Sequence, residues 1–443
     1  MIRLAVIADD LTGANDTAVQ FAKRDISACV RIDFTVDKLS KEKAEVVVID
    51  TDSRDLTAAA AYQAVEKACQ AVKRCQVEHV YKKVDSTLRG NLGAEIEAAA
   101  TVFGAELVAI APAFPSNRRT TIGGYHFLDG MPIELTEIAH APKTPVRESQ
   151  ITALLQVQTD CAVGVIPLAV IRQGASAIRQ AAEACRERGQ RWIVFDVAAD
   201  EHFVSIIKAL QTYENILWVG SAGLAEYLPA LYSWSAVKRQ PAAPAKGPVL
   251  IVAGSVSKIT QKQIWEIRDR EPVQLVKMQV EKLFENHAAE IKRCCCAIRK
   301  ALAADAIILL ASAVEEQDVL RATRLGQLHG LESCEVSEIT AAALGEVAAQ
   351  LHLQRAELAG LVLTGGDTAV HVCRALQAES IEILREVAAG IPLGRLAGGS
   401  CDGLQVITKA GAFGAADSFM QAVAALRGTD AYTKGNLKEV IAK

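Results

Sequence analysis

The sequence predicts an α/β protein of two domains, each built on a mainly parallel sheet. Three observations carry that reading. Short runs rich in valine, isoleucine and leucine alternate with longer alanine-rich stretches of helical period, the pattern of strand–helix–strand units. At 443 residues the chain is too long for one ordinary core, since domains run to roughly 100–200 residues. The alternation breaks at Lys238–Pro248, where KRQPAAPAKGP sets three prolines and a glycine among small and basic residues and reads as an extended linker. The expected domains are therefore 1–237 and 249–443, joined by 238–248.

In the first domain the strand candidates are Leu4–Ala8, Ala28–Ile32, Glu45–Ile49, His79–Lys82, Leu107–Ala111, Val163–Leu168, Trp192–Phe195 and Ile216–Val219. The apolar spacing of Leu92–Ala100 predicts a helix, with Asp85, Ser86 or Thr87 available to cap it. Pro112–Gln150, crowded with Pro, Gly, Thr and Arg, fits neither period; a loop this long in a compact domain is uncommon and often functional. In the second domain the candidates are Val249–Ala253, Gln274–Lys277, Ala306–Leu310, Gly360–Thr364, Ile381–Leu384 and Leu404–Thr408, with helices such as Glu338–Leu351 between them. After about Gly428 the chain turns polar and reads as a peripheral tail.

Composition excludes several function classes. Apolar residues make up 51% and are spread throughout, as in a globular protein, and 48 Lys plus Arg against 52 Asp plus Glu leaves no broad footprint for nucleic acid or an anionic membrane. The eleven cysteines include no CxxC and no Cys/His zinc spacing. Adjacent Cys294, Cys295 and Cys296 point in different directions from a helix, so they read as core or surface residues in a reducing compartment rather than as one chelate. The first apolar run meets Asp9 and Asp10 too early for a signal peptide, and no run of 18 apolar residues occurs. A cytoplasmic protein with small-molecule partners is expected, its oligomeric state open.

The chemistry gathers at strand ends. Tyr81–Asn91, YKKVDSTLRGN, packs cations, a carboxylate and hydroxyls into one strand-to-helix turn, where free N–H groups favour anions. Lys83 and Arg89 suit a carboxylate or phosphate, and Asp85 suits a hydroxyl proton. Asp9 and Asp10 close the first strand, and Asp52, Ser53 and Arg54 the third, so three ends of one sheet converge on a polar pocket suited to a small hydroxylated acid. Capped helices with solvated charges are the plainer account of each turn alone. In the second domain, Gly254–Ser255, Gly365–Gly366–Asp367–Thr368 and Lys409–Ala410–Gly411 follow three strands; glycine turns at helix starts favour a phosphate-rich ligand such as ATP, while Asp367 is also placed to cap a helix beginning at Thr368. No GxxxxGK[ST] or GxGxxG occurs, so neither a P-loop nor a dinucleotide fold is supported.

An ordered set of motifs resembles the four-carbon acid sugar kinase family: IADDLTGANDTAVQ (Ile7–Gln20), DSR (Asp52–Arg54), YKKVDSTLRGN, RTT (Arg119–Thr121), PKTPV (Pro142–Val146), GSAGLA (Gly220–Ala225), AGSVS (Ala253–Ser257), LTGGDTA (Leu363–Ala369) and ITKAGAFG (Ile407–Gly414). The resemblance spans nearly the whole chain. It implies an ATP-dependent kinase acting on O4 of threonate, erythronate or a 3-oxo-tetronate, with a sugar-acid domain and an ATP domain facing each other across a cleft. It implies that the acid contacts Asp10, Arg54, Lys83, Val84, Asp85 and Ser86, and that ATP contacts Ser255, Gly365, Gly366, Asp367, Thr368 and Gly411. ADDLTGANDT, with Asn15 before Asp16, is closest to the threonate-kinase branch. Three positions depart from the family pattern: Ala412 and Arg118 stand where glycines are usual, and Ala141 where an acid is.

Phosphoryl transfer rests mainly on alignment and charge neutralisation. Mg²⁺ is expected to bridge the phosphates, Arg54 and Lys83 to meet the substrate carboxylate or the transferring group, and Asp10 or Asp85 to accept the hydroxyl proton. A non-catalytic sensor of sugar acid and nucleotide is the rival from another class, and the two acids argue against it.

Overall fold

Strands that are apolar on both faces belong inside parallel sheets covered by helices on both sides. The computed structural model, which describes residues 2–141, 143–232, 234, 246–302, 306–351 and 358–430, is built from such strands. They are β1 (Leu4–Ala8), β2 (Ala28–Arg31), β3 (Val46–Asp50), β4 (His79–Lys83), β5 (Leu107–Ala111), β6 (Arg119–Ile122), β7 (Tyr125–Leu128), β8 (Met131–Pro132), β9 (Val163–Ile166), β10 (Trp192–Phe195), β11 (Ile216–Gly220), β12 (Val249–Ala253), β13 (Val273–Lys277), β14 (Ile307–Ala311), β15 (Gly360–Thr364), β16 (Ser380–Ala388), β17 (Ile391–Ala397) and β18 (Gln405–Lys409). Every residue of β1, β3, β5, β12, β14 and β15 is buried.

The chain divides into two compact units: Met1–Ala28 with Asp33–Val237, and Cys29–Ile32 with Lys238–Lys443. Most of the expected linker and all of 431–443 lie outside the described residues. In the first unit the strands run β3-β1-β4-β11-β5-β10-β9, all parallel. After β1 the chain lays β3 on one side of it and β4 on the other, which makes the carboxyl end of β1 a topological switch point, the place where open α/β sheets bind ligands. The second unit runs β13-β14-β12-β15-β18, all parallel, then β17 and β16, antiparallel, and β2. Its core joins Val249, Ile251, Val362 and Ile407 of the sheet to Ile264, Phe419 and Leu426 of the covering helices.

Pro112–Gln150 differs from the loop that was expected. Its centre is a three-stranded antiparallel sheet, β6-β7-β8. The turns are Gly123-Gly124, with φ of 64° and 77°, and Asp129-Gly130, with φ of 54° and 79°. Two residues of positive φ give the two-residue hairpin turn that matches strand twist. The Asp196 carboxylate accepts from the N–H groups of Gly123, Gly124 and Leu168, pinning the hairpin tip to the parallel sheet. Strand β17 was also not among the expected strands; it carries Pro392 and Gly394, residue types that weaken strands. There Gly394 lets β16 lie close: a Cβ would stand 2.6 Å from the side chain of Ile381.

Cys294 and Cys295 are buried in the helix His287–Leu302, where Cys295 Sγ donates to Val347 O at 3.7 Å, and Cys296 is exposed. Burial pushes the Cys294 thiol up to about 12, so it packs as an inert small residue. Among the described residues no helix is long and apolar enough to cross a membrane.

Candidate active site

Strand pairing sets the site of the first unit. Register places Ala8 beside Asp50, and Ile7 beside Lys82, so the residues after β1, β3 and β4 emerge together. Arg54 is the hub. Its Nε donates to Asp9 Oδ2 at 2.7 Å, its Nη1 and Nη2 grip Asp10 in two-pronged fashion at 2.7 and 2.6 Å, and Nη2 lies 3.7 Å from Asp85. Asp85 is held from its other side by Arg89, at 2.8 Å through Nε and 3.1 Å through Nη2.

Asp10 also caps the helix Leu11–Ala22 by accepting from Gly13 N at 2.8 Å. Asp85 does not cap the next helix, contrary to expectation, and neither do Ser86 and Thr87. That helix, Leu92–Phe103, begins after Asn91 with no side-chain cap. The Asp85 carboxylate instead accepts from the backbone of Thr87 and Arg89 and from the Thr87 hydroxyl, folding Asp85–Arg89 into a turn of its own. Val84 is buried, its N–H donating to Gly220 O at 2.9 Å, and Ser86 lends its carbonyl to His126.

Successive residues of a strand face opposite sides, and the Lys82–Lys83 pair shows the consequence. Lys82 is fully buried and pairs with Glu95 at 2.8 Å, while donating to Ile7 O and Lys83 O; Ser53 Oγ holds the other Glu95 oxygen at 2.8 Å. Lys83 lies on the site side with no hydrogen bond or ion pair among the described residues. Its ammonium rests against Gly13, where a Cβ would come within 2.7 Å of Nζ. Glu95 escaped the sequence reading, although a doubled lysine at a buried strand end signals that one of the two needs an acid.

The three acids separate electrostatically. Burial works to raise Asp9, but Arg54, with Lys83 and Lys82, holds it below the ordinary carboxylate value. For Asp85 burial is likewise overcome, here by Arg89 and Arg54, and the carboxyl sits well below its usual range. Asp10 goes the other way: burial, with repulsion from Asp9 and Asp85, outweighs Arg54 and Lys83 and raises it. Asp10 is therefore the most basic carboxylate of the cluster.

His126 is structural. Ser86 O can only accept, at 2.9 Å, so Nε2 carries the proton and Nδ1 accepts from Thr121 Oγ1 at 3.0 Å; burial lowers its pKa to about 4. Arg118 has φ 61°, a left-handed conformation that explains why glycine is usual there, and its side chain pairs with Asp129 at 2.8 Å.

The second unit presents its turns at equivalent strand ends, since Ala253 pairs with Thr364 and Thr364 with Lys409. Gly411 is packed so closely that a Cβ would stand 1.9 Å from Ser255 Oγ, and its carbonyl accepts from Ser257 Oγ at 2.6 Å and Thr260 Oγ1 at 2.8 Å. Gln263 Nε2 ties down the carbonyls of Phe413, Gly414 and Ala415. The helix after β15 begins at Gly366 rather than Thr368, with Gly365 in the capping position at φ 101°, so Asp367 sits inside the first turn and is not its cap. Ala412 is exposed and outside the left-handed region, and its methyl costs nothing there. Ser255, Gly365 and Gly411 thus meet in one closely packed cluster of turns at these strand ends.

A switch point gathering acids and an ammonium in the first unit, and glycine turns at the strand ends of the second, are features that a two-domain α/β small-molecule kinase would need. Comparison with known proteins supplies the family. Residues 4–228 match a sugar-binding N-terminal domain and residues 250–419 a nucleotide-binding C-terminal domain. The D-threonate kinase of Salmonella typhimurium is 33% identical over 95% of this chain and 98% of its own length, and the D-erythronate kinase of Heliobacterium modesticaldum is 32% identical over 94% and 95%. A crystal structure from Salmonella typhimurium LT2 shares the fold with a TM-score of 0.80 at 23% identity, covering 95% of this chain and 99% of that one. The chain belongs to the four-carbon acid sugar kinase family, whose motifs it carries, and is a phosphotransferase.

Proposed function

We propose that the chain transfers the γ-phosphoryl group of ATP to the terminal hydroxyl of D-threonate, forming 4-phospho-D-threonate and ADP. The observation that carries this reading is the pairing of an available ammonium, Lys83, with a carboxylate of raised basicity, Asp10, at the switch point of the first unit. Asp10 takes the proton of the attacking hydroxyl as its oxygen bonds to the γ-phosphorus and the bond to ADP breaks. Lys83 meets the negative charge of the substrate. Arg54, engaged by three carboxylates, fixes their geometry and is less available as a carboxylate clamp than its residue type suggests. Asp85, held by Arg89 and Arg54, organises the loop of Val84 and Ser86.

On the nucleotide side, Ser255, Gly365, Gly366, Thr368 and Gly411 would hold the phosphates. No group of three or more His, Cys, Asp or Glu side chains able to hold a metal occurs among the described residues. Mg²⁺ held chiefly by phosphate oxygens and water, with Asp367 as the nearby acid, fits that donor set. When bound it would neutralise phosphate charge.

The ADDLTGANDT motif supports D-threonate. Asn15, however, is buried within its helix, and a D-erythronate kinase is about as similar, which keeps D-erythronate as the second reading, ahead of a 3-oxo-tetronate. ADP release measured with ATP, Mg²⁺ and a panel of D- and L-threonate, D- and L-erythronate and 3-oxo-tetronates decides, with the product identified by mass. D-threonate as the best substrate is expected. Preference for D-erythronate would transfer the assignment to it, and binding of ATP without turnover of any acid would favour the sensor.

A further inference from the structure

We propose that Lys409 is a nucleotide-binding residue, its ammonium placed beneath the Gly365 and Gly411 turns as the counter-charge for the phosphates. The inference rests on the second unit's being the ATP site and goes beyond it by naming the cation.

Lys409 ends β18 and is only 3% exposed. Its Nζ donates to Thr364 Oγ1 and to Ala410 O, both at 3.0 Å and both neutral; an ammonium has three donors, so one remains. The aromatic ring of Phe419 lies 5.6 Å from Nζ. Lys82, similarly buried in the other unit, has Glu95 at 2.8 Å, whereas among the described residues no carboxylate pairs with Lys409. Burying a cation against neutral acceptors alone is unfavourable unless an anion arrives.

The place is right for one. Gly365 N donates to Lys409 O at 3.1 Å, and Gly411, two residues along, is the glycine pressed against Ser255. Burial lowers the Lys409 pKa to about 7, and no charged group of the neighbouring β15, β17, Gly366–Ala375 or Ser418–Leu426 contributes to that shift. Without nucleotide the side chain is thus partly neutral near pH 7, and phosphates would stabilise its charged form. Binding then takes up a proton. The contribution to affinity is full below pH 7 and falls as pH rises above it, until the raised pKa of the complex is passed.

Titration calorimetry with ATP and no sugar acid, at pH 7.5 in buffers of different ionisation enthalpy, tests this. Wild type should take up protons with ATP and none with adenosine. Lys409→Met should weaken ATP about 10- to 100-fold, abolish the uptake and leave adenosine unchanged, and Lys409→Arg should recover affinity without the uptake. Unchanged ATP affinity in Lys409→Met, or equal losses for ATP and adenosine, would overturn the proposal. If wild type bound neither ligand, the ATP-site reading itself would fall, and this inference with it.

Discussion

Replacing Asp10 by asparagine separates chemistry from architecture. The amide oxygen can still accept from Gly13 N, now 2.8 Å from Asp10 Oδ1, and asparagine is as good a helix cap as aspartate. Arg54 loses the two-pronged grip at 2.7 and 2.6 Å but keeps Asp9 at 2.7 Å and Asp85 at 3.7 Å, so the cost in stability should be about 1–2 kcal/mol. The loss of a general base, by contrast, should lower kcat by about 10²- to 10⁴-fold. Steady-state ADP release as a function of pH reads both. Wild-type activity should fall on the acid side as a carboxyl of raised pKa protonates, and that limb should vanish in Asp10→Asn. A kcat within about threefold of wild type would refute the assignment. A collapse in Asp85→Asn without one in Asp10→Asn would move the base to Asp85.

Lys83→Met should raise KM for the sugar acid about 10- to 100-fold with little change in thermal stability, because among the described residues its ammonium makes no hydrogen bond or ion pair and acts on Asp9, Asp10 and Asp85 only through space; an unchanged KM would remove Lys83 from the substrate site. Gly411→Ala drives a methyl into Ser255, and a fluorescent ATP analogue that still bound with wild-type affinity would show that this cradle does not hold the nucleotide. His126 has a folded pKa of about 4 against 6.5 when unfolded, so the unfolded chain binds more protons between those values. Stability should be full above pH 6.5 and fall by about 3 kcal/mol as pH drops to about 4. Urea titrations of His126→Gln should lack that contribution, and equal slopes in the two proteins would contradict it. Arg118→Ala should be about 1 kcal/mol less stable than Arg118→Gly, since only glycine adopts φ 61° without strain; equal midpoints would exclude strain at that residue.

Buried parallel strands announced themselves in the sequence because helices on both faces demand uninterrupted Val, Ile and Leu, as in β1, β12 and β15. The hairpin β6-β7-β8 did not, since its Arg–Thr–Thr strand carries no apolar alternation, although Gly123-Gly124 and Asp129-Gly130 were hairpin signals in plain view. At the site, chain order brought Asp10, Arg54 and Lys83 to one sheet edge without further help. What it could not rank was competition. Asp85 lay within reach of a helix start, yet Thr87 and Arg89 were nearer. Arg54 could be placed near acids, but not shown to be engaged by three of them. The partner of Lys82 sits on another element, at a distance that only the packed helix fixes.

The second unit completes its sheet with residues made early. Arg31 of β2 reaches Glu379 at 3.3 Å, and Ile32 N donates to Glu379 O at 3.1 Å, across 348 residues of sequence in the case of the side chains. At about 5–20 residues per second, the ribosome delivers that partner about 17–70 s after β2 has emerged. Through that interval the edge of β2 that β16 will cover stays open to mispairing. Separate expression of the segment after Val237 would meet the converse defect: β16 would be left as a bare edge, and adding back a peptide of residues 27–33 should restore it.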